Sequence, residues 1–310
     1  MGGMKAAFKT SELKDELEWA LGFRLRTLER LTCVNALNFR AVRESDGFAF
    51  AVKCLSLSRQ QTFDRLVRHL DELAGTKAAA RIFRKECSPV FKGFNVICLS
   101  WCAGVRIYPD EQTEEQFDAF LSDYLEFSTA LQRTTLVLPP FPIADWRRIA
   151  LSKCTGFWGR RLKGRVELAR EAESDWQPDR LRVIHGDLHP GNLLFQGGRL
   201  SGFIDIEGFL YGYPAQDIMR YFVFADEHLP WFAWRRRRRL RARFAQAVRR
   251  LPYPAGEWHT AVNECWLGKI WKKIGDGQSL SMSNAVRLML SYRTYAVFRE
   301  LVDRNVSEKA

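Results

Sequence analysis

Asp187, Asn192 and Asp205 are the residues of this chain whose types and spacing could do chemistry. Asp187 precedes Asn192 by five positions in VIHGDLHPGNLL (183–194), and Asp205 follows Asn192 by thirteen in GFIDIEG (202–208). A carboxylate and an amide oxygen are hard ligands suited to magnesium held on nucleotide phosphates. A second carboxylate on the same loop can orient and deprotonate an attacking hydroxyl. The pattern therefore points to phosphoryl transfer from ATP with Mg2+, with Asp187 as catalytic base and Asn192 and Asp205 as metal ligands. Two other readings of these residues stay open: Asp187 and Asn192 as turn caps, and a transition-metal site made by His185 and His189 with Asp187. The second would leave Asn192 and Asp205 without a role.

These side chains need elements to hold them. Gly197-Gly198 suits a two-residue hairpin turn, pairing Leu193–Gln196 with the run from Arg199 to Ile204. That register sets Asn192 opposite Phe203, with Asp205 on the same face and diagonal to Asn192. Glu207 shares that face if the strand continues, as an auxiliary contact. Upstream, FAFAVKCL (48–55) alternates as a strand and carries Lys53, whose ammonium can reach nucleotide phosphates. The acidic partner of Lys53 is expected on the next helix, about Arg59 to Ala74 with Ser58 as N-cap, where Asp64 and Asp71 are better candidates than Glu72.

The remaining elements follow from periodicity and turn chemistry. Three short strands are expected around 28–32, 38–43 and 48–55, and two more between Val90 and Ser100, broken at Lys92-Gly93. Trp101 to Gly104 reads as a connector. Helical patterns follow from Thr113 onward and over 156–173, 215–225, 229–250, 255–273 and 283–303. The expectation is an α+β, two-lobed chain: residues 1–101 as a small antiparallel-sheet, nucleotide-binding lobe, and 102–310 as a larger, mainly helical catalytic and substrate-binding lobe.

Composition narrows the partners. With 310 residues and 46% hydrophobic content the chain can bury a large core. No apolar run approaches the roughly 18 residues of a membrane span, and the first residues lack the apolar core of a secretion signal, so a cytoplasmic location is expected. The cysteines at 33, 54, 87, 98, 102, 154 and 265 form no CxxC pair and read as reduced core thiols. Lys and Arg number 48 against 36 Asp and Glu, a net charge of +12 that favours anionic partners. Five arginines in succession, Arg235 to Arg239, lie in PWFAWRRRRRLRARFAQAVRR (230–250). As a basic amphipathic helix this segment could make a peripheral contact with an anionic membrane, or it could be a solvated face. No nucleic-acid module accompanies it, and nucleic acid is not an expected partner.

Together, VK on a third strand, HGDLHPGN, ID at the hairpin end and GYPAQD (212–217) resemble the aminoglycoside phosphotransferase and choline kinase-like family, relatives of the protein kinases. The resemblance implies a protein kinase-like fold and a small-molecule hydroxyl as phosphate acceptor. A sugar or a lipid-linked precursor is one such acceptor. By the same resemblance Asp187 is the base, Asn192 and Asp205 hold magnesium, Lys53 contacts phosphate, the backbone of Ser100, Trp101 and Cys102 receives adenine, and Asp217 braces the catalytic loop. Two departures stand against this pattern: the loop LTCVNALNF (31–39) has no glycine to let backbone amides approach phosphates, and the helix after Lys53 lacks the expected Glu. Both would suit a nucleotide-binding protein with weak or no turnover.

Overall fold

The structure, a computed structural model, describes residues 9–31, 37–73, 85–91, 93–132, 138, 178–206, 209–274 and 282–306. The expected helix over 156–173, Glu207 and most of the glycine-free loop (32–36) lie outside these residues.

The first part is a five-stranded antiparallel sheet in the order β1-β2-β3-β5-β4. Its strands are β1 (Leu25–Leu31), β2 (Leu37–Arg43), β3 (Ala49–Ser56), β4 (Lys85–Phe91) and β5 (Phe94–Ser100). The β4–β5 turn uses Gly93 at φ 84°, a left-handed conformation that glycine adopts without strain. Strand alternation gives the sheet two different faces. Phe50, Val52 and Cys54 of β3 pack with Val96 and Cys98 of β5 and with Leu13 and Leu17 in one core. Leu13 and Leu17 belong to a helix not anticipated from the sequence, α1 (Thr10–Leu21), which ends at Gly22 with φ 69°. Glu18 of α1 accepts the Leu25 N–H at 2.9 Å, which ties the helix to the start of β1.

Leu55 and Ile97 belong to the second core, with Phe63, Leu66 and Leu70 of α2 (Gln60–Leu73) and with the aromatic residues of the second part of the chain. Burying each of these large side chains is worth about 1.5–3 kcal/mol. Lys53, paired in register with Ile97, shares this face and is therefore aimed toward the second part. The start of α2 corrects the expected cap. Ser56, not Ser58, accepts a backbone N–H, that of Ser58, and opens a 3-10 turn (Leu57–Arg59) that runs into the helix.

After β5 the chain from Trp101 to Gly104 belongs to no strand. Val105 then exchanges two backbone hydrogen bonds with Phe195, both 2.9 Å, so the connector docks on the hairpin that carries the site. Helix α3 (Glu114–Leu131) begins at a reciprocal cap in which Thr113 and Gln116 accept each other's backbone N–H. Two small strand pairs follow: β6 (Arg182–Ile184) with β9 (Leu210–Gly212), and the hairpin β7 (Leu193–Gln196) with β8 (Arg199–Phe203). The remainder is helical: α4 (Pro214–His228), α5 (Trp234–Arg250), α6 (Ala255–Ile274) and α7 (Met282–Val306). The helix expected over 229–250 starts only at Trp234, because residues 229–233, including Pro230, form a turn. None of the helices among the described residues is long and apolar enough to cross a membrane. Cys54, Cys98, Cys102 and Cys265 are in no disulfide, and burial pushes Cys54 and Cys265 each up to about 12.

Candidate active site

The loop from His185 to Asn192 is held at several points before any ligand is considered. Asp217, in the first turn of α4, is buried, and its two carboxylate oxygens accept the backbone N–H groups of His185 at 2.7 Å and Gly186 at 2.9 Å. Burial pushes its carboxyl above the usual range, against those two hydrogen bonds and the nearby charge of Arg220. Arg220, one turn along α4, donates to the Gly186 carbonyl at 2.5 Å and stands 3.9 Å from the Asp187 carboxylate. The Asn192 side-chain N–H donates to the Asp187 carbonyl at 3.0 Å, so the two residues are bridged directly.

Both histidines are consumed by this scaffold. His185 is fully buried; its Nδ1 accepts the Asp187 N–H at 3.4 Å, which leaves Nε2 to donate to the Ile204 carbonyl at 2.9 Å. His189 accepts the Gly191 N–H on Nδ1 at 3.0 Å and stacks on Phe224 with ring centres 4.3 Å apart. Burial lowers its basicity, which the Asp187 charge only partly restores. An imidazole whose acceptor nitrogen is already bonded has no lone pair for a metal, so this geometry does not fit the transition-metal alternative.

The hairpin register differs from expectation by one residue. Leu193, not Asn192, lies opposite Phe203, because a bulge leaves Ser201 as an extra residue on β8. The Ser201 hydroxyl donates to the Ala103 carbonyl at 2.5 Å, and a Cβ on Gly202 would stand 2.4 Å from the Cys102 sulfur. Contacts with the connector thus set the bulge. Asn192 instead accepts the Ile204 N–H on its backbone carbonyl at 3.0 Å.

Asp205 is not on a strand face at all. The strand stops at Phe203, and Asp205 takes φ 59°, alone among the described non-glycine residues in having a positive φ. Such a conformation costs about 1–3 kcal/mol and persists where the surroundings over-determine it. Here the two peptide groups that flank Ile204, just before Asp205, are pinned, the Ile204 N–H by Asn192 and the Ile204 carbonyl by His185. The turn delivers the Asp205 carboxylate to Lys53, 152 residues earlier, at 2.9 Å. Lys53 is buried, with 8% of its side chain exposed, whereas Asp205 keeps 47%. Burial raises the Asp205 carboxyl, but the charge and hydrogen bond of Lys53 outweigh it and hold the group below its ordinary value.

Among the described residues the carboxylate beside Lys53 is thus Asp205, which lies outside α2. Asp64 is exposed and accepts from Gln60 at 2.8 Å, and Asp71 is exposed; the side chain of Glu72 lies outside the described residues. Among the described residues of α2, His69 lies beside the site, and the sequence reading missed it. It is buried, stacks on Phe209 at 5.2 Å and lies with Nδ1 3.4 Å from the Ile206 carbonyl, next to Asp205. A polar residue between Leu66 and Leu70 on the apolar face was its signal. Arg220 was missed too, although it sits three residues after Asp217 on the same helix. Trp101 of the connector has the Arg40 guanidinium 5.3 Å over its ring.

Comparison with known proteins decides what this arrangement belongs to. A sequence model of the phosphotransferase enzyme family matches residues 37–260. The chain belongs to this family. This phosphotransferase is 44% identical over 72 residues to a homoserine kinase from Brucella anthropi, a match spanning 20% of the chain and only 21% of that relative. It is similar in structure to spectinomycin phosphotransferase APH(9)-Ia in complex with ADP and spectinomycin, with a TM-score of 0.61, 15% identity, and 96% and 98% of the two chains covered. The ADP-bound aminoglycoside phosphotransferase APH(2'')-Ib gives 0.61 at 15% identity, covering 95% and 99%. The amicoumacin kinase hAmiN, in complex with AMP-PNP, Ca2+ and Ami, gives 0.58 at 12%, covering 96% of each chain. At these identities the structural likeness speaks for the fold, which is protein kinase-like.

Proposed function

We propose that this phosphotransferase transfers the γ-phosphoryl group of ATP, with Mg2+, to a hydroxyl of a small molecule. In this reading residues 1–101 hold the nucleotide and 102–310 hold the acceptor. The observation that carries it is the Lys53–Asp205 ion pair at 2.9 Å, which joins the sheet face to the hairpin end beside the Asp187–Asn192 bridge. These two contacts support reading Lys53, Asp187, Asn192 and Asp205 as parts of one site.

The donor set fits a hard divalent cation. Asp205 is kept ionised and half-exposed, and Asn192 spends its N–H on the Asp187 carbonyl, which turns its amide oxygen the other way. Magnesium, when bound there on a nucleotide, would neutralise phosphate charge. Lys53 would exchange its carboxylate partner for phosphate oxygens, to which it is already pointed. The backbone of Ser100 to Cys102, outside any strand from Trp101 onward, is where adenine would be received. Asp187 keeps 60% of its side chain exposed while its backbone is fixed on both sides, so its carboxylate can meet an incoming hydroxyl, orient it and accept its proton. Most of the acceleration would come from positioning rather than from covalent chemistry.

The test is a thermal-shift titration with Mg-ATP followed by ADP release against a panel of hydroxylated acceptors. Asp187→Ala should keep nucleotide-induced stabilisation and lose transfer by about a thousandfold or more. Asp205→Ala should lose the magnesium-dependent part of nucleotide binding. Full turnover in either variant rejects the assigned role, and stabilisation by Mg-ATP without ADP release across the panel would make the chain a binding protein instead.

A further inference from the structure

The turn before α5 exposes three large aromatic side chains within four residues. Trp231, Phe232 and Trp234 are 87%, 64% and 63% exposed. Water is a poor solvent for such a cluster, and contiguous exposed apolar surface of this kind marks an interaction site. The turn is also held rigidly. Arg237 donates to the carbonyls of Pro230 at 2.9 Å, Trp231 at 3.0 Å and Leu229 at 2.9 Å, closing the loop from beneath.

The charges beside it follow an equally specific division. Arg236 is committed to Asp110 at 2.5 Å and Glu111 at 2.6 Å, and Arg237 lies 3.4 Å from Asp226. Leu240, Phe244 and Val248 are buried, so the apolar face of the helix faces the core and cannot lie in a bilayer as first expected of the whole segment. Arg235 and Arg238, by contrast, are exposed and make no ion pair with described residues; Arg235 sits 5.0 Å over the ring of Trp234. No acidic residue stands in the first turn of α5 and no side chain caps it. Cations at a helix N-terminus oppose the helix dipole, so these arginines weaken the helix that carries them and are explained better by an external partner.

We infer that Trp231, Phe232 and Trp234, with Arg235 and Arg238, form an interfacial anchor that docks this phosphotransferase on anionic phospholipid. Aromatic rings belong at the headgroup boundary, where an apolar body meets polar surroundings, and arginines beside them read the negative surface potential. The rings of Trp231 and Phe232 stand perpendicular, 86° at 5.8 Å, which gives no parallel platform for nucleic-acid bases. A stack of His189, Phe224 and His228, with centres 4.3 and 4.0 Å apart, runs from the catalytic loop to the start of this turn. The anchor therefore begins a few rings away from the catalytic loop.

The experiment is co-sedimentation of the full chain with phosphatidylcholine vesicles, with and without about a third of phosphatidylglycerol, at low and high salt, with tryptophan emission followed in parallel. Expected are binding to the anionic vesicles only, a blue shift on binding, and weakening by salt. Trp231→Ser combined with Phe232→Ser and Trp234→Ser should weaken binding at least tenfold, as should Arg235→Glu combined with Arg238→Glu. Neither combination should lower the melting temperature, the Arg to Glu pair raising it if anything through the helix dipole, and both should keep Mg-ATP stabilisation, since none of the five residues touches the site. Absence of binding, equal binding to neutral vesicles, or unchanged binding by the variants overturns the inference. So would a concentration-dependent dimer, or tighter binding to single-stranded DNA than to vesicles, either one abolished by the aromatic variant.

Discussion

Asp217→Ala tests how the catalytic loop is held. Wild-type Asp217 is 1% exposed and satisfies two buried N–H groups, those of His185 and Gly186, at 2.7 and 2.9 Å. A buried donor left without an acceptor costs about 1–3 kcal/mol, so two cost about 2–6. Against this, burial raises the Asp217 carboxyl, meaning that holding its charge there is itself unfavourable, and alanine removes that burden. The net loss should fall near about 3 kcal/mol. For 310 residues the unfolding entropy is about 0.65 kcal/mol/K, so the melting temperature should drop by about 5 °C. Urea unfolding measures the first quantity and calorimetry the second. Amide hydrogen exchange supplies the local readout, since His185 and Gly186 should lose protection beyond the global change. Phosphate transfer should fall by about a hundredfold, because Asp187 follows these two residues directly and misplacement of about 1 Å is enough. An alanine variant within about 0.5 kcal/mol of wild type, with both amides still protected, would refute this account of the loop.

Two further outcomes concern buried charge. The Asp205 carboxyl is lowered in the folded chain, so the stabilisation it draws from Lys53 is present above 3.8 and is lost as pH falls through the lower folded value. With Asp205 half-exposed the effect is at most about 1 kcal/mol, and Lys53→Met should remove it from a plot of urea midpoint against pH; an unchanged acid limb would contradict the pairing. Glu264 on α6 is buried with neither carboxylate oxygen hydrogen-bonded, and burial raises it well above 4.5. The stability of the wild-type chain should therefore decline as pH rises above 4.5, by about 1.4 kcal/mol per unit while the folded group keeps its proton. Glu264→Gln should flatten the decline that sets in above 4.5, and an equal slope in both proteins would show that the carboxyl ionises freely.

What the sequence made legible is local in origin. Alternation in β3 separates Lys53 from Phe50, Val52 and Cys54, the Gly197-Gly198 pair bounds a hairpin, and Thr113 with Gln116 starts a helix, each within a few residues of its cause. What escaped it comes from contacts between remote segments. Turn length alone gives the regular register for β7 and β8, because nothing in those residues reports that Ala103 will capture the Ser201 hydroxyl. Gly202 reads as an ordinary strand glycine until Cys102 is beside it. The carboxylate beside Lys53 follows the same rule. A lysine on a strand invites an acid from the next helix, but α2 turns Asp64 to solvent, and the described carboxylate that meets Lys53 is Asp205, whose backbone leaves the strand because His185 and Asn192 hold Ile204 from both sides. The left-handed turn at Asp205 is thus a product of the catalytic loop and not of the hairpin sequence. It follows that Asn192 and Asp205 are coupled through backbone, so that a change at His185, which bonds the Ile204 carbonyl and not the Asp205 carboxylate, should displace Asp205 from Lys53 as surely as a change in the hairpin itself.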